Sequence, residues 1–371
     1  MSLKVLIAPD KFKGTLTAPD AAAAIARGWR NARPADSLEL LPMSDGGDGF
    51  GEVMSTLLGA KKIAVKTVDA AHRPIRAHWW WEPKSQTAII ESANVIGLAQ
   101  LPAKKFHPFE LDTYGLGAVI RAAAAKGAKR CFIGIGGSAT NDGGFGVACA
   151  LGWEFLDDCG NPIHEWTQLQ RLAEVCAPKH PKWFEDFIVA VDVQNPLLGA
   201  HGCTRVYGPQ KGLTPPDFPL AERCLRRLEM MSHRGRFMAN EPGAGAAGGL
   251  GFGLRCFLRA RLQPGFDLFA RKAELAQRLH SADLVITGEG AIDPSTLMGK
   301  GVGQIAERCF KMKIPCLGLA GTVIPHPRAK KNLFTRQHGL TELTGADDAK
   351  QNAAHWLERL AEKIAQGWLE K

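Results

Sequence analysis

Residues 131–144 read CFIGIGGSATNDGG. The apolar run Cys131–Ile135 breaks into Gly136 and Gly137, and then into Ser138, Thr140, Asn141 and Asp142. Glycine lets the backbone come close to a ligand and take positive φ. Serine, threonine and asparagine supply hydrogen bonds, and an aspartate supplies a charge that can orient a proton or a metal. A buried strand that ends in a small-residue polar loop is the place where open α/β sheets bind ligands. This stretch therefore points to an α/β fold with its site at strand ends.

The same device recurs along the chain. It is present in IAPDKFKG (Ile7–Gly14), PMSDGGDG (Pro42–Gly49), VAVDVQNPLLG (Val189–Gly199) and VITGEGAIDPST (Val285–Thr296). Acidic or glycine-rich loops, each beyond a predicted strand, suggest one composite active site.

Around these loops the hydrophobic spacing sets out the elements. Val5–Ala8 is a first strand. Thr17 then caps a helix, with Ala22, Ile25, Ala26 and Trp29 on its stripe. Leu38–Leu41 is a second strand, and a helix starts near Phe50. Residues 63–92 alternate, with turn signals at Arg73–Pro74 and Pro83–Lys84, which reads as antiparallel sheet. Within them Trp79–Trp81 puts two rings on one face and one on the other, packed rather than displayed as a stacking platform. Thr113 is expected to cap a helix carrying Leu116, Val119, Ile120 and Ala123, ended by Gly127. Residues 200–265 are rich in Gly, Pro and Arg, and no element is assigned there. Clean α/β alternation returns with strand Leu284–Thr287, helix Val302–Phe310, strand Cys316–Ala320 and a last amphipathic helix bearing Trp356, Leu357, Leu360 and Ile364. Both ends of the chain are α/β with different material between them. The expectation is a discontinuous domain of residues 1–66 and 281–371, with residues 67–280 inserted as a second α/β domain.

At 371 residues, two domains is the natural prior, and 45% hydrophobic with 22% charged residues is ordinary for a globular protein. No apolar stretch is long enough to span a bilayer, and the N-terminal MSLKVLIAPDKFKG has no signal-peptide cleavage region. The nine cysteines are scattered without a CxxC pair, which reads as buried free thiols in a cytoplasmic protein. The net charge of +9 invites a nucleic-acid reading. The basic residues are interleaved with acids and apolars, no polybasic tail exists and no RNA- or zinc-finger pattern appears, so no nucleic-acid or membrane partner is expected. The oligomeric state is not readable.

Several motifs are informative by their context. The single GxGxxG, Gly243–Gly248, has no strand before it, and a dinucleotide site there is not expected. Gly299–Lys300 is followed by Gly301, so there is no Walker A motif, and if the chain handles phosphate it does so outside the P-loop solution. Asp45 and Asp48 flank two glycines in a turn that can aim both carboxylates at one spot, for Mg²⁺ or for general base work, or simply make an Asp-Gly turn. Asp10, Lys11 and Lys13 lie past the first strand, and Lys211 lies in a Pro/Gly loop. These lysines read as contacts for phosphate or carboxylate, or as surface charge. Asp192 with Asn195, and Glu289 with Asp293, lie beyond further strands, as metal–nucleotide groups or as caps.

Taken together, IAPDKFKGTLTAPDAAAAIARG, PMSDGGDGF, TYGLGAVIRAAAAKGAKRCFIGIGGSATNDGG, VDVQNPLLG, YGPQKG, PGAGAAGGLG and DLVITGEGAID form an ordered set that resembles the type-1 glycerate kinase family. The resemblance runs over most of the chain. It implies ATP-dependent phosphorylation of D-glycerate, with Mg²⁺, in the cytoplasm, with a lean toward the 2-hydroxyl over the 3-hydroxyl. It also implies a Rossmann-like (flavodoxin-like) three-layer domain and a second α/β domain resembling the restriction-endonuclease fold. Where the family usually has DGGEGT, this chain has Asp45–Phe50 as DGGDGF, and after Asp293 it has Ser295-Thr296 in place of Gln-Thr.

The expected chemistry is in-line phosphoryl transfer by positioning and charge neutralisation. Asp45, Asp142 and Asp192 are the candidate catalytic carboxylates, with Asp142 orienting the attacking hydroxyl. Asp45, Asp48 and Asp192 are candidate Mg²⁺ ligands. Lys13, Gly136, Gly137, Ser138, Asn141, Lys211, Gly288 and Glu289 are candidates for holding substrate or phosphate. Two domains would let a cleft close and exclude water. Two other readings stand beside this one. A non-catalytic protein that binds a small hydroxy acid would need the same polar loops, and an NAD-linked oxidoreductase would rest on Gly243–Gly248 alone.

Overall fold

The computed structural model describes residues 2–180, 182–294, 296, 301–324 and 332–368. In chain order the first elements are β1 (Lys4–Ile7), α1 (Ala18–Ala32), β2 (Ser37–Leu40), α2 (Phe50–Leu58), β3 (Lys61–Val68), β4 (Pro74–Glu82) and β5 (Thr87–Glu91). There follow α3 (Ala93–Ile96), α4 (Leu116–Ala125), β6 (Arg130–Gly134), α5 (Phe145–Ala150), β7 (Glu154–Asp157), β8 (Leu172–Cys176) and β9 (Asp186–Val191). Next come α6 (Cys203–Lys211), α7 (Phe218–Met231), α8 (Gly235–Ala239), α9 (Ala246–Phe257), β10 (Arg261–Pro264), α10 (Gly265–Lys272) and α11 (Leu275–His280). The chain closes with β11 (Leu284–Ile292), α12 (Gly301–Met312), β12 (Cys316–Val323), β13 (Arg336–Gly339), α13 (Ala346–Gln351) and α14 (Ala353–Gln366).

The chain forms two compact units, one of residues 1–45 with 266–371 and the other of residues 46–265. The seams expected from composition lay after residues 66 and 280. They differ because β3 is hydrogen-bonded along its length to β4, and α10 and α11 lead into β11. In the first unit five parallel strands stand in the order β13-β12-β11-β1-β2. Thr17 caps α1 as the sequence suggests, accepting from the Asp20 amide at 3.2 Å. The buried stripe of α1 and the apolar face of α14 share a core with β1, β11 and β12. The two helices approach so closely that a side chain on Gly28 would overlap the Glu358 carbonyl.

The chain order places β2 on one side of β1 and β11, β12 and β13 on the other. The loops leaving the carboxyl ends of β1 and β11 therefore diverge, which makes the strand-order reversal where α/β sheets take ligands. β11 runs to Ile292, beyond the expected end at Thr287, so Gly288 and Glu289 are strand residues rather than loop residues. The cause is β12, which pairs with β11 as far as Val323, whereas β1 pairs with β11 only up to Ile286. Gly299–Lys300, Ser295 and the stretch 325–331 lie outside the described residues.

The second unit is built on a six-stranded mixed sheet, β10-β9-β6-β5-β4-β3. β5, β6, β9 and β10 are parallel, and β4 and β3 complete it antiparallel, as the alternation of residues 63–92 suggests. β7 and β8 form a separate antiparallel pair. The Trp79 and Trp81 rings share a face and meet edge-on with centroids 6.4 Å apart, while Trp80 packs on the other face against α2 at Gly51. α4 begins at Leu116, and its first turn receives no side-chain cap. Thr113 is thus not the cap that the sequence suggests, because its hydroxyl is engaged elsewhere. All nine cysteines are free thiols.

Candidate active site

In the second unit, register sets four strand ends level with one another. Glu91 pairs with Gly134, Gly134 with Ala190, and Val191 with Pro264. The polar segments that follow β5, β6 and β9 therefore leave one edge of the sheet. The buried Glu91 carboxylate accepts from the amides of Gly49 (2.8 Å) and Gly51 (2.9 Å) at the start of α2, where the helix dipole favours an anion. This anchors the Asp48 turn. That turn lies on the β6 loop, where the Gly136 amide donates to the Gly46 carbonyl at 3.3 Å. A methyl group on Gly136 would come within 2.6 Å of the Gly47 Cα, and one on Gly137 (φ +72°) would overlap the Asp48 carboxylate. Phe50, where the family pattern has threonine, is buried over Gly134.

The next residues of the β6 loop turn inward. The Ser138 hydroxyl accepts from the Thr140 amide at 3.1 Å and lies 3.0 Å from the Thr140 hydroxyl. Asn141 is fully buried. Its amide donates to the Thr204 hydroxyl at 3.1 Å, and among the described residues its Oδ1 has no hydrogen-bond partner. Asp142, also fully buried, accepts from the Thr113 amide (3.0 Å), the Thr113 hydroxyl (2.7 Å), the Gly146 amide (2.9 Å) and the Gly144 amide (3.2 Å). Burial and the charge of Asp112 push its carboxyl above the usual carboxylate range, against the pull of those donors. These contacts tie Asp142 to Thr113 and to the start of α5 inside the protein. From behind, a side chain on Gly248 (φ +70°) would overlap the Thr140 carbonyl. The Gly243–Gly248 run is thus the tight start of α9 packed on the β6 loop.

Lys211, the last residue of α6, is buried, and its ammonium donates to the Thr140 carbonyl at 2.6 Å. Burial depresses it to about 8, with Cys203 and Asp142 acting in the other direction. Asp192 is exposed, the first residue past β9. Its charge, after burial, helps to push the Tyr207 hydroxyl up to about 12. Tyr207 donates to Asn195 Oδ1 at 2.6 Å, and the Asn195 amide donates to the His201 carbonyl at 2.8 Å.

In the first unit, Asp10 follows β1 and its amide donates to the Gly288 carbonyl at 2.8 Å. Desolvation, then the charge of Asp45, and more weakly that of Glu289, raise its carboxyl to about 7 against the pull of Lys11. Asp45, beyond β2, and Glu289, on β11, are thus electrostatic neighbours of Asp10. Glu289 Oε1 also accepts from the Thr296 hydroxyl at 2.8 Å. Lys13 is exposed in the turn closed by the Phe12–Leu16 bridge. Asp45 ends the N-terminal segment of the first unit, and Asp48 belongs to the second.

The residues expected for the site therefore fall into two groups. Asp45, Gly288, Glu289 and Lys13 are in the first unit, and Asp48, Gly136, Gly137, Ser138, Asn141, Asp142, Asp192 and Lys211 are in the second. Asp10, Glu91, Thr113, Thr204 and Tyr207 are absent from the expected set. Asp10 carried a signal, an acid directly past an apolar strand. The others make contacts distant in sequence and carried none.

The model of the glycerate kinase family matches residues 5–369. A glycerate kinase of Bacillus subtilis is 36% identical over 98% of this chain and 97% of its own length. A glycerate 2-kinase of Escherichia coli is 34% identical over 98% and 97%. A crystal structure from Salmonella typhimurium LT2, provisionally described as glycerate kinase 2, superposes with a TM-score of 0.82 at 32% identity, covering 99% of this chain and 98% of that one. These matches do not favour a non-catalytic binder or an oxidoreductase. Among the described residues no helix is long and apolar enough to cross a membrane. The chain belongs to the glycerate kinase family, and its activity is that of a kinase.

Proposed function

We propose that this chain transfers the terminal phosphoryl group of ATP to D-glycerate with Mg²⁺, in the cytoplasm, and that the 2-hydroxyl is the acceptor. The name of the Escherichia coli relative, glycerate 2-kinase, supports that position. The parallel order β2-β1-β11-β12-β13 supports a flavodoxin-like first unit. We infer that the second unit, with its mixed six-stranded sheet, is the half that resembles the restriction-endonuclease fold.

The observation that carries the substrate half is Lys211. A buried ammonium needs an anion or a full set of acceptors. Among the described residues its ammonium has one hydrogen-bond partner, the neutral Thr140 carbonyl. A carboxylate or phosphate oxygen would supply the missing charge, so Lys211 holds the acid group of glycerate or the transferred phosphoryl group. The exposed Gly137 amide and the inward Ser138 hydroxyl serve the same anion, while Gly136 keeps the loop on the Gly46 turn. Asp192, exposed at the end of β9, takes the proton of the attacking hydroxyl. Asn141 and Asp142 shape the loop from inside and do not touch substrate. Asp48, packed on Gly137, sets the turn beneath the loop.

The donor chemistry in the first unit fits Mg²⁺. Asp10, Asp45 and Glu289 are hard oxygen ligands whose mutual repulsion helps to keep one of them protonated near neutral pH. When bound, Mg²⁺ would neutralise phosphate charge. Lys13 is a further anion contact at this edge. An ADP-release assay with D-glycerate, ATP and Mg²⁺ tests the function. Turnover above the glycerate-free control is expected, and its absence removes the assignment.

A further inference from the structure

α6 carries three polar contacts to the substrate loops on one stripe. Thr204, Tyr207 and Lys211 are three and seven residues apart, which puts them on one helical face. Thr204 and Lys211 face the protein, Tyr207 is half-buried, and Arg205, Val206, Pro209 and Gln210 face solvent. The inward face grips two different loops. The Thr204 hydroxyl accepts from Asn141, Lys211 donates to the neighbouring Thr140 carbonyl, and Tyr207 donates to Asn195. Thr140 and Asn141 belong to the loop after β6, and Asn195 to the loop after β9, which begins with Asp192.

We propose that Thr204 and Tyr207 are positioning residues, and that α6 acts as a spacer fixing the β9 loop, with Asp192, against the β6 loop, with Ser138. The inference rests on reading these loops as the glycerate site. Neither residue touches substrate. Tyr207 acts through Asn195 and Thr204 acts through Asn141. Each contact comes from a single hydroxyl, so it can be removed with almost no change of volume. Phenylalanine at 207 keeps the ring, and valine at 204 keeps the shape. Serine at 204 keeps the hydroxyl and loses only a methyl group.

The test is glycerate affinity by titration calorimetry for Tyr207→Phe, Thr204→Val and Thr204→Ser beside the wild type, with steady-state kinetics and melting temperatures. Tyr207→Phe and Thr204→Val are each expected to weaken glycerate binding and raise its KM by about tenfold, the effect of one lost hydrogen bond on alignment. The KM for ATP should stay unchanged, and Thr204→Ser should restore wild-type values. Unchanged glycerate affinity in Tyr207→Phe would overturn the proposal. So would equal impairment in Thr204→Ser and Thr204→Val, or losses that simply follow the melting temperature. Absence of turnover in the wild type would count against the proposed function alone, because the calorimetric comparison does not depend on turnover.

Discussion

Replacing Asp142 by asparagine separates a carboxylate that holds the loop from one that touches the substrate. The carboxylate accepts the two donors of Thr113 and the amides of Gly144 and Gly146. An asparagine oriented with its oxygen toward Thr113 and Gly146 keeps three of these bonds as neutral ones. Each then weakens by about 1 kcal/mol, the difference between charged and neutral acceptors. The new NH₂ group faces the Gly144 amide, donor against donor, which forfeits about another 1 kcal/mol. Removal of a buried charge offsets part of this loss, since burial already raises the Asp142 carboxyl. The net expectation is a destabilisation of about 1–3 kcal/mol, or a melting temperature lower by roughly 3–10 °C for a unit of this size. Scanning calorimetry gives the melting temperature, and kinetics well below the transition give KM and kcat. Glycerate KM should rise as the loop loosens, and Thr113→Val should reproduce much of the effect. The two substitutions should not add, because they break the same contacts. A collapse of kcat with an unaltered melting temperature would mean that Asp142 meets the substrate, and would refute the reasoning.

Gly248→Ala should be among the most damaging small substitutions, because positive φ costs about 1–2 kcal/mol and the methyl group also meets the Thr140 carbonyl. A melting temperature within about 2 °C of wild type, the least that about 1 kcal/mol produces in a unit of this size, would contradict the packing of α9 on the β6 loop. The Lys211 ammonium lies below its ordinary value, at about 8, so glycerate KM should rise as pH passes through 8. The sign for stability is opposite: between about 8 and 10.5 the unfolded chain binds the extra proton, so this group favours the folded state increasingly as pH rises. A flat KM profile from pH 7 to 9.5, about a unit and a half past that value, would remove Lys211 as an anion contact. Asp10 lies above its ordinary value, at about 7, so its contribution to stability is full below pH 3.8 and is lost as pH rises through 7. Mg²⁺ binding at pH 6.5, about half a unit below that, should release a proton, seen by calorimetry in buffers of different ionisation enthalpy, and Asp10→Asn should abolish the release.

Local signals were legible in the sequence. Thr17 and the stripe of α1 lie within one helix, and the alternation at Trp79–Trp81 assigns each ring to a face. The β6 strand and its glycines could be read because strand, break and polar loop are contiguous. Thr113 reads as a cap in the sequence because the partner that claims its hydroxyl is 29 residues away. Gly288 and Glu289 read as loop residues because an apolar run gives no sign that β12 extends the pairing. The proton affinity of Asp10 depends on Asp45 and Glu289, which only the strand order brings near it. α6 was hidden by Gly208, Pro209 and Gly212, which read as loop, although Pro209 sits within the helix. The clamp on the β6 loop belongs to tertiary structure, and no local pattern announces it.

Proton-coupled phosphorus NMR of the reaction with D-glycerate, ATP and Mg²⁺ reports most directly on what the enzyme does. A phosphate ester on the 2-oxygen couples to a single carbon-bound proton, so the new resonance should be a doublet that grows as ATP is converted to ADP. A triplet, from the two protons beside a 3-phosphate, would contradict the proposed acceptor. No new ester resonance at all would contradict phosphoryl transfer to glycerate.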